Sequence, residues 1–284
     1  MSDLQLFAVT AAGLQPLPVP AGAKEFTDLY AGLALGVYSI ARTFAHNQFL
    51  RLDHHLARTA NSMRLLGWDY ALDEARLRRA IHTLCTAFPA AEMRVRLDVL
   101  AEPASSLGTD SRELLALAPF TPLPADFYAQ GVTVDFATGL TRGNPLIKTA
   151  DFAEARKHIE SAVASYESLL VSPNGDILEG TSSNFYGVRV GALYTAGQGV
   201  LEGITRSIIL DLARQLPMPV HTTPINVATI EHLDEAAISS SSRGLLPVVQ
   251  IGHTPIGNGQ PGPYTQRLLA AYNTFVAQNI KTAI

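Results

Sequence analysis

The spacing of apolar and polar residues changes several times along this chain, and each change marks an element. From Asp53 to Leu66 the apolar residues Leu56, Ala60 and Met63 recur on one face, which predicts a helix. Asp53 is placed to cap it, and Gly67 stands where a left-handed C-terminal residue belongs. A second helix is predicted from about Asp73 to Phe88, with Leu77, Ile81, Leu84, Cys85 and Phe88 turned inward. The period then shortens to two. In Met93-Arg94-Val95-Arg96-Leu97-Asp98-Val99 apolar residues alternate with charged ones, so a strand with one buried and one polar face is expected. A second strand near Leu114 to Leu117 can pair with it. Residues 1–25, with Pro16, Pro18 and Pro20, read as irregular or as an edge strand.

Pro119, Pro122 and Pro124 fall within Ala118–Asp126, and a domain boundary is placed there. Residues 1–120 are then a small N-terminal α/β domain, and residues 121–284 a larger C-terminal one that carries Lys148. In the second part Asn174-Gly175 between Leu169-Leu170-Val171 and Ile177-Leu178 predicts a hairpin, because both turn residues tolerate positive φ. Another short turn is expected near Gly191. Ile208, Leu212 and Leu216 give an amphipathic helix from Thr205, strands follow near Ala236–Ser239 and Pro247–Ile251, and a last helix covers about Tyr264 to Gln278. The class is mixed, α+β.

Composition narrows the function classes. The chain has 284 residues, 47% hydrophobic and 16% charged, enough apolar material for a sizeable core. A formal charge of -4 and a pI near 6.1 favour neither nucleic acid nor an anionic membrane. Cys85 is the single cysteine, which leaves no internal disulfide and no multi-cysteine metal site. No apolar run approaches the ~18 residues of a membrane span, and no basic leader precedes an apolar stretch. A cytoplasmic protein without a metal is expected.

Lysine is scarce: Lys24, Lys148, Lys157 and Lys281 stand against 21 basic residues in all. Lys148 follows the apolar Pro145-Leu146-Ile147. A lysine at the end of an apolar strand is desolvated, which frees its amine as a nucleophile of the Schiff-base kind; a strand-end lysine reaching solvent is the alternative. Leu178-Glu179-Gly180-Thr181-Ser182-Ser183-Asn184 supplies a carboxylate and several donors, or is a polar turn. Leu201-Glu202-Gly203-Ile204-Thr205-Arg206 opens a helix whose free N–H groups favour an anion, or is simply a capped start. Ser239 to Ser242 offers hydroxyl and amide donors for a phosphate. His54 and His55, adjacent on a helix, read as solvent-side histidines. A lysine amine, a carboxylate and anion donors are the parts that pyridoxal phosphate (PLP) requires.

Taken in order, these segments resemble the class IV, or fold-type IV, PLP-dependent aminotransferases. That family includes branched-chain and D-amino-acid aminotransferases and aminodeoxychorismate lyase. The similarity runs from about Val37 to Ala270. It includes the helix with His55-Leu56-Ala57-Arg58, the Asn144–Phe152 lysine segment and the Leu178–Phe185 glutamate segment. It continues through Leu201–Arg206, the Ser239–Val248 loop and the Gly257–Pro263 turn. The resemblance implies a two-domain D-amino-acid aminotransferase-like fold with the cofactor between the domains, and a homodimer. It implies Lys148 as the catalytic residue and Schiff-base partner of PLP. Glu179 would sit at the pyridine nitrogen, and Arg58, Ile204, Thr205 and Ser241 at the phosphate, with Ser183 and Asn184 among the cofactor-binding residues. Tyr38, Arg42, Arg94 and Arg96 are candidates for the substrate, the arginines because guanidinium pairs bidentately with carboxylate. Phe152 stands where the family often has a tyrosine. The implied reaction is ping-pong amino transfer between a small amino acid and a 2-keto acid. A lyase of the aminodeoxychorismate type and a non-catalytic PLP-binding relative are the alternatives.

Overall fold

The computed structural model describes residues 4–30, 32–137, 140, 143–155 and 163–284. The chain forms two compact units. The first comprises Met1–Thr121, Ile147–Glu154 and Asn279–Ile284, and the second Pro122–Leu146 and Ala155–Gln278.

The first unit is built on one sheet. Its strands are β1 (Gln5–Thr10), β2 (Gly13–Leu17), β3 (Gly36–Phe44), β4 (Gln48–Leu50), β5 (Met93–Leu100) and β6 (Glu113–Pro119), with β17 (Ile280–Thr282) returning from the end of the chain. They lie in the order β17-β4-β3-β5-β6-β1-β2. Pro16 sits in β2, at the sheet edge where its missing N–H is tolerated. β1 lies one place further in, between β2 and β6.

Helices α1 (Leu52–Leu65) and α2 (Glu74–Ala87) cover one face. Leu56, Met63, Leu77, Ile81 and Cys85 pack there against Val37, Val95, Leu97 and Val99. Burial pushes the Cys85 thiol up to about 12, so it serves as a small packing residue. Asp73 caps α2 by accepting from the Arg76 N–H at 2.9 Å. α1 begins one residue earlier than expected: Arg51 in the left-handed region precedes it, and Asp53 lies in the first turn, where a carboxylate favours the helix dipole.

β5 departs from the expected polar face. Arg96 and Asp98 are 1% and 0% exposed and bond to each other. A second apolar cluster with Phe26, Leu29, Leu100, Leu114 and Ala116 lies in the same unit, and residues 26–30 supply part of it.

The Ile147–Glu154 segment belongs to this first unit, although residues 121–284 were expected to form one domain with Lys148 in it. Ile147 is 1% exposed within the helix-covered core, and Thr149 forms a bridge with Val37 of β3. Those contacts hold the segment to β3. Helix α4 (Ala150–Ala155) follows.

The second unit has strands β7 (Val132–Phe136), β8 (Glu167–Val171), β9 (Asp176–Gly180), β10 (Asn184–Arg189), β11 (Ala192–Tyr194), β12 (Val220–His221), β13 (Ile225–Asn226), β14 (Glu235–Ser240), β15 (Gly244–Ile251) and β16 (Thr254–Pro255). Its helices are α3 (Ala125–Gln130), α5 (Ile204–Gln215) and α6 (Pro263–Asn279). The main path is β12-β11-β10-β14-β15-β7-β8-β9-β13, and β9 also pairs with β10, so the strands from β10 round to β9 close on themselves.

The Asn174-Gly175 hairpin forms, with only Gly175 at positive φ. Gly175 N–H bonds to Ser172 O and the ladder shifts register at Val171, the pattern of a loop closed by a left-handed glycine. Between β10 and β11 both Val190 and Gly191 take positive φ, the twist a two-residue hairpin requires. Among the described residues no helix is long and apolar enough to cross a membrane.

Candidate active site

In the first unit, the functional side chains gather where β3, α1 and the lysine segment meet. Tyr38 N–H donates to the Lys148 carbonyl at 2.9 Å. The Lys148 Nζ lies 4.8 Å from the centroid of the Tyr38 ring, which is 3% exposed. A cation so placed is attracted by the ring face, and the backbone bond fixes where the side chain starts. The next residue of β3, Ser39, points to the helix-covered side. Its Oγ accepts from Arg58 Nη2 at 2.8 Å and is also 2.8 Å from His55 Nδ1. His55 is 3% exposed, not solvent-side as expected; only His54 is exposed. Burial, reinforced by Arg58 and Lys148, holds the His55 imidazole well below its ordinary range, so it is neutral and adds no competing charge.

The three arginines expected to receive substrate are placed differently. Tyr38, Ile40 and Arg42 of β3 lie opposite Asp98, Arg96 and Arg94 of β5. Arg96 donates through Nε and Nη2 to Asp98 at 2.8 and 2.6 Å, and its guanidinium lies 4.1 Å from the Tyr30 ring centroid and 4.2 Å from that of Tyr38. The fork that would grip a substrate carboxylate is filled by Asp98. Arg42 pairs with Glu92 at 2.6 Å and stacks on Phe44 and Phe120. Arg94 lies over the Phe26 ring at 5.2 Å, near Glu25.

In the second unit, β9 ends on Glu179-Gly180 and β10 begins at Asn184, with Glu179 paired to Asn184. Glu179 is 2% exposed, and its Oε2 accepts from Leu201 N–H at 3.0 Å and from Asn184 Nδ2 at 3.4 Å. Asn184 Nδ2 also donates to Leu201 O at 2.9 Å. The carboxylate, the end of β9 and the approach to α5 are thus tied together. Gly203 precedes α5 and no side chain caps it, leaving the first-turn N–H groups of Ile204 and Thr205 as anion donors. A Cβ at Gly203 would run into Asn184 Oδ1, so this close approach needs glycine. Ser241 lies in the turn between β14 and β15.

Ser183, expected at the cofactor, turns its hydroxyl to Glu167 at 3.0 Å. Glu167 and Arg243 were not singled out from the sequence. They pair at 2.8 Å and engage Thr181 to Ser183 on one side and Ser240 on the other. Burial works to raise the Glu167 carboxyl, but Arg243 and the Ser182 and Ser183 donors outweigh it and bring it below the ordinary range. No local pattern marks either residue, since their partners lie far apart in sequence. Asp98 was likewise read only as part of the polar face of β5. Among the described residues no cluster of ligating side chains suits a metal ion.

Residues 36–251 match the family model for amino-transferase class IV. A Thermotoga maritima protein named "Probable branched-chain-amino-acid aminotransferase" is 27% identical over 89% of this chain and 90% of its own length. The D-alanine aminotransferase of Bacillus licheniformis is 26% identical over 87% of this chain and 90% of its own. In structure, the T.th. branched-chain amino acid aminotransferase complexed with N-(5'-phosphopyridoxyl)-L-glutamate superimposes with a TM-score of 0.79, covering 99% of this chain and 98% of that one at 20% identity. The chain belongs to the class IV aminotransferases, and the fold is theirs. It is a PLP-dependent transaminase acting on amino acids.

The residues present fit that cofactor. An uncapped helix start offers N–H donors to a phosphate, and a buried carboxylate in the same unit is anchored for a ring nitrogen. In the other unit, a lysine amine lies against the Tyr38 ring, and Arg58 donates to Ser39, the next residue of the same strand.

Proposed function

We propose that this transaminase exchanges the amino group of a small amino acid with a 2-keto acid in a ping-pong cycle, with Lys148 as its catalytic residue. The placement of Lys148 carries the assignment: Lys24 and Lys281 are exposed, whereas Lys148 is bonded to β3 through its own carbonyl and set against Tyr38. Lys157 lies outside the described residues.

PLP, when bound, supplies the electron sink that makes the α-proton of the amino acid labile. Lys148 would hold the cofactor to the protein through its amine and would hold and move the proton at the substrate Cα. Glu179 would keep the pyridine nitrogen protonated. In the first unit Arg58, steered by Ser39 and His55, would be assigned to the phosphate; in the second, the Ile204 and Thr205 amides, the Thr205 hydroxyl and Ser241 would be. Asn184 and Ser183 hold Glu179 and its loop rather than the cofactor itself. Tyr38 faces the substrate. Arg96 does not, because Asp98 already fills its guanidinium. Arg94 keeps the carboxylate-binding role among the three arginines. A homodimer acting in the cytoplasm completes this reading, and sedimentation of the PLP-loaded protein tests the oligomer.

The function is tested by adding single amino acids of both hands to the PLP-loaded protein without a keto acid. Conversion of the lysine-bound absorbance band to that of pyridoxamine phosphate, reversed by a 2-keto acid, is expected for at least one small amino acid. A band that persists with every amino acid offered would refute the small-amino-acid assignment.

A further inference from the structure

We propose that the Glu167–Arg243 pair is a positioning device for the cofactor site: it locks the loop after Glu179 and the turn that carries Ser241 into one piece, so that cofactor affinity depends on it. The proposal rests on the reading that Glu179 and Ser241 hold the cofactor.

Glu167 opens β8, and its carboxylate is 3% exposed. One oxygen accepts from the Ser182 backbone N–H, from Ser182 Oγ at 2.9 Å and from Thr181 Oγ1 at 3.3 Å; the other accepts from Ser183 Oγ at 3.0 Å and Arg243 Nη1 at 2.8 Å. Every residue of the Thr181–Ser183 loop therefore donates to this one side chain. Arg243 joins the opposite segment. Its Nε donates to Ser240 Oγ at 2.9 Å, and its Nη2 donates to Ser182 O at 3.2 Å and Ser182 Oγ at 2.7 Å. Its backbone carbonyl accepts from Tyr128 Oη at 2.8 Å, and its guanidinium lies 5.3 Å from the Tyr166 ring centroid. Arg243 is thus held from α3 and from the Tyr166 side while it reaches across to the loop.

The two bound segments lead directly to the assigned cofactor residues. Thr181–Ser183 joins Glu179-Gly180 to Asn184, and a Cβ on Gly180 would come 2.7 Å from Glu167 Oε1, so the carboxylate packs tightly under this loop. Ser240 ends β14, and Ser241 follows it in the turn to β15. A buried pair that satisfied only itself would be weak evidence of function. This one uses its remaining hydrogen-bonding groups on the two loops, and a guanidinium fork can span both at fixed angles where an ammonium cannot.

The test uses Arg243→Lys, which keeps the charge and loses the fork, and Arg243→Met with Glu167→Gln, which removes both charges together. Ser241→Ala with Thr205→Val serves as the control for the underlying reading. Two quantities are read on purified apo protein, the urea midpoint and the Kd for PLP by absorbance titration, and kcat is read on the PLP-loaded protein. Arg243→Lys should weaken PLP by about tenfold or more, the size typical of losing a group that orients a ligand set. Its urea midpoint should stay close to that of the parent, and kcat should recover at saturating PLP. The charge-free double variant should fold and show the same loss of affinity. Parent-like PLP affinity in both variants would overturn the proposal, as would a loss of affinity only in proportion to lost stability. If Ser241→Ala with Thr205→Val binds PLP normally, the assignment of the phosphate residues fails, and that failure is separate from the result at Arg243.

Discussion

Asp98→Asn strips the counter-charge from a guanidinium that is 1% exposed. Both hydrogen bonds of the pair are short, 2.8 and 2.6 Å, and neither partner reaches water that could take over the charge. Breaking a buried pair from one side costs about 3–5 kcal/mol. Arg96→Met should cost at least as much by leaving the buried Asp98 without its counter-charge, and it also frees the Tyr30 and Tyr38 rings, each worth ~2 kcal/mol as a desolvated cation–π contact. Replacing both with apolar residues, Arg96→Met with Asp98→Leu, removes the desolvation problem. That double variant should lie within about 2 kcal/mol of the parent. The coupling between the two sites is therefore predicted at about 4 kcal/mol or more, well beyond the ~0.5 kcal/mol within which independent sites add. Trp68 is the single tryptophan and packs against the core of the unit that holds the pair, so its fluorescence in a urea titration reports the relevant transition. Single variants costing under about 1 kcal/mol, or a double variant costing the sum of the two, would refute the reasoning.

His55 stays neutral in the folded chain and takes a proton below about pH 6.5 once unfolded. Stability should therefore fall on acidification from that point, by ~1.4 kcal/mol per pH unit for one proton, until the lowered folded-state value is reached. The slope should shrink in His55→Gln, compared by urea midpoints between pH 5 and 7. Gly203→Ala drives a methyl group into Asn184 Oδ1 and should destabilise by about 1–3 kcal/mol while weakening PLP, which parallel urea and absorbance titrations check. Arg58→Met should raise the PLP Kd at least tenfold and leave the lysine-bound band intact at saturation; an unchanged Kd would remove Arg58 from the phosphate site.

The sequence made helices α1, α2, α5 and α6 and the central β5–β6 pair legible because their periodicities are local; the short α3 and α4 were not foreseen. Gly175 as a turn residue and Gly203-Ile204-Thr205 as a helix start are each set by a few neighbouring residues, whereas Asp53, expected to cap α1, lies in its first turn behind Arg51. The cofactor-site candidates rest on a different signal: their order along the chain matches a family. What stayed hidden depends on contacts across the fold. The alternation in β5 could not show that the second face is also covered, so Arg96 and Asp98 read as a polar face and Arg96 as a candidate for the substrate. His55 looked like its neighbour His54 until β3 placed Ser39 against it. Glu167 and Arg243 are 76 positions apart and carry no motif. The unit boundary near Thr121 had a local proline signal, whereas the return of Ile147–Glu154 to the first unit rests on Ile147 and Thr149 meeting residues about a hundred positions earlier.

The central claim is that Lys148, of the four lysines, carries the cofactor. Borohydride reduction of the PLP-loaded protein, followed by peptide mapping, tests it directly. The account predicts one labelled peptide, containing Lys148, and none from a Lys148→Ala variant. Label on Lys24, Lys157 or Lys281 in the intact protein, or covalent label surviving in the variant, would contradict it.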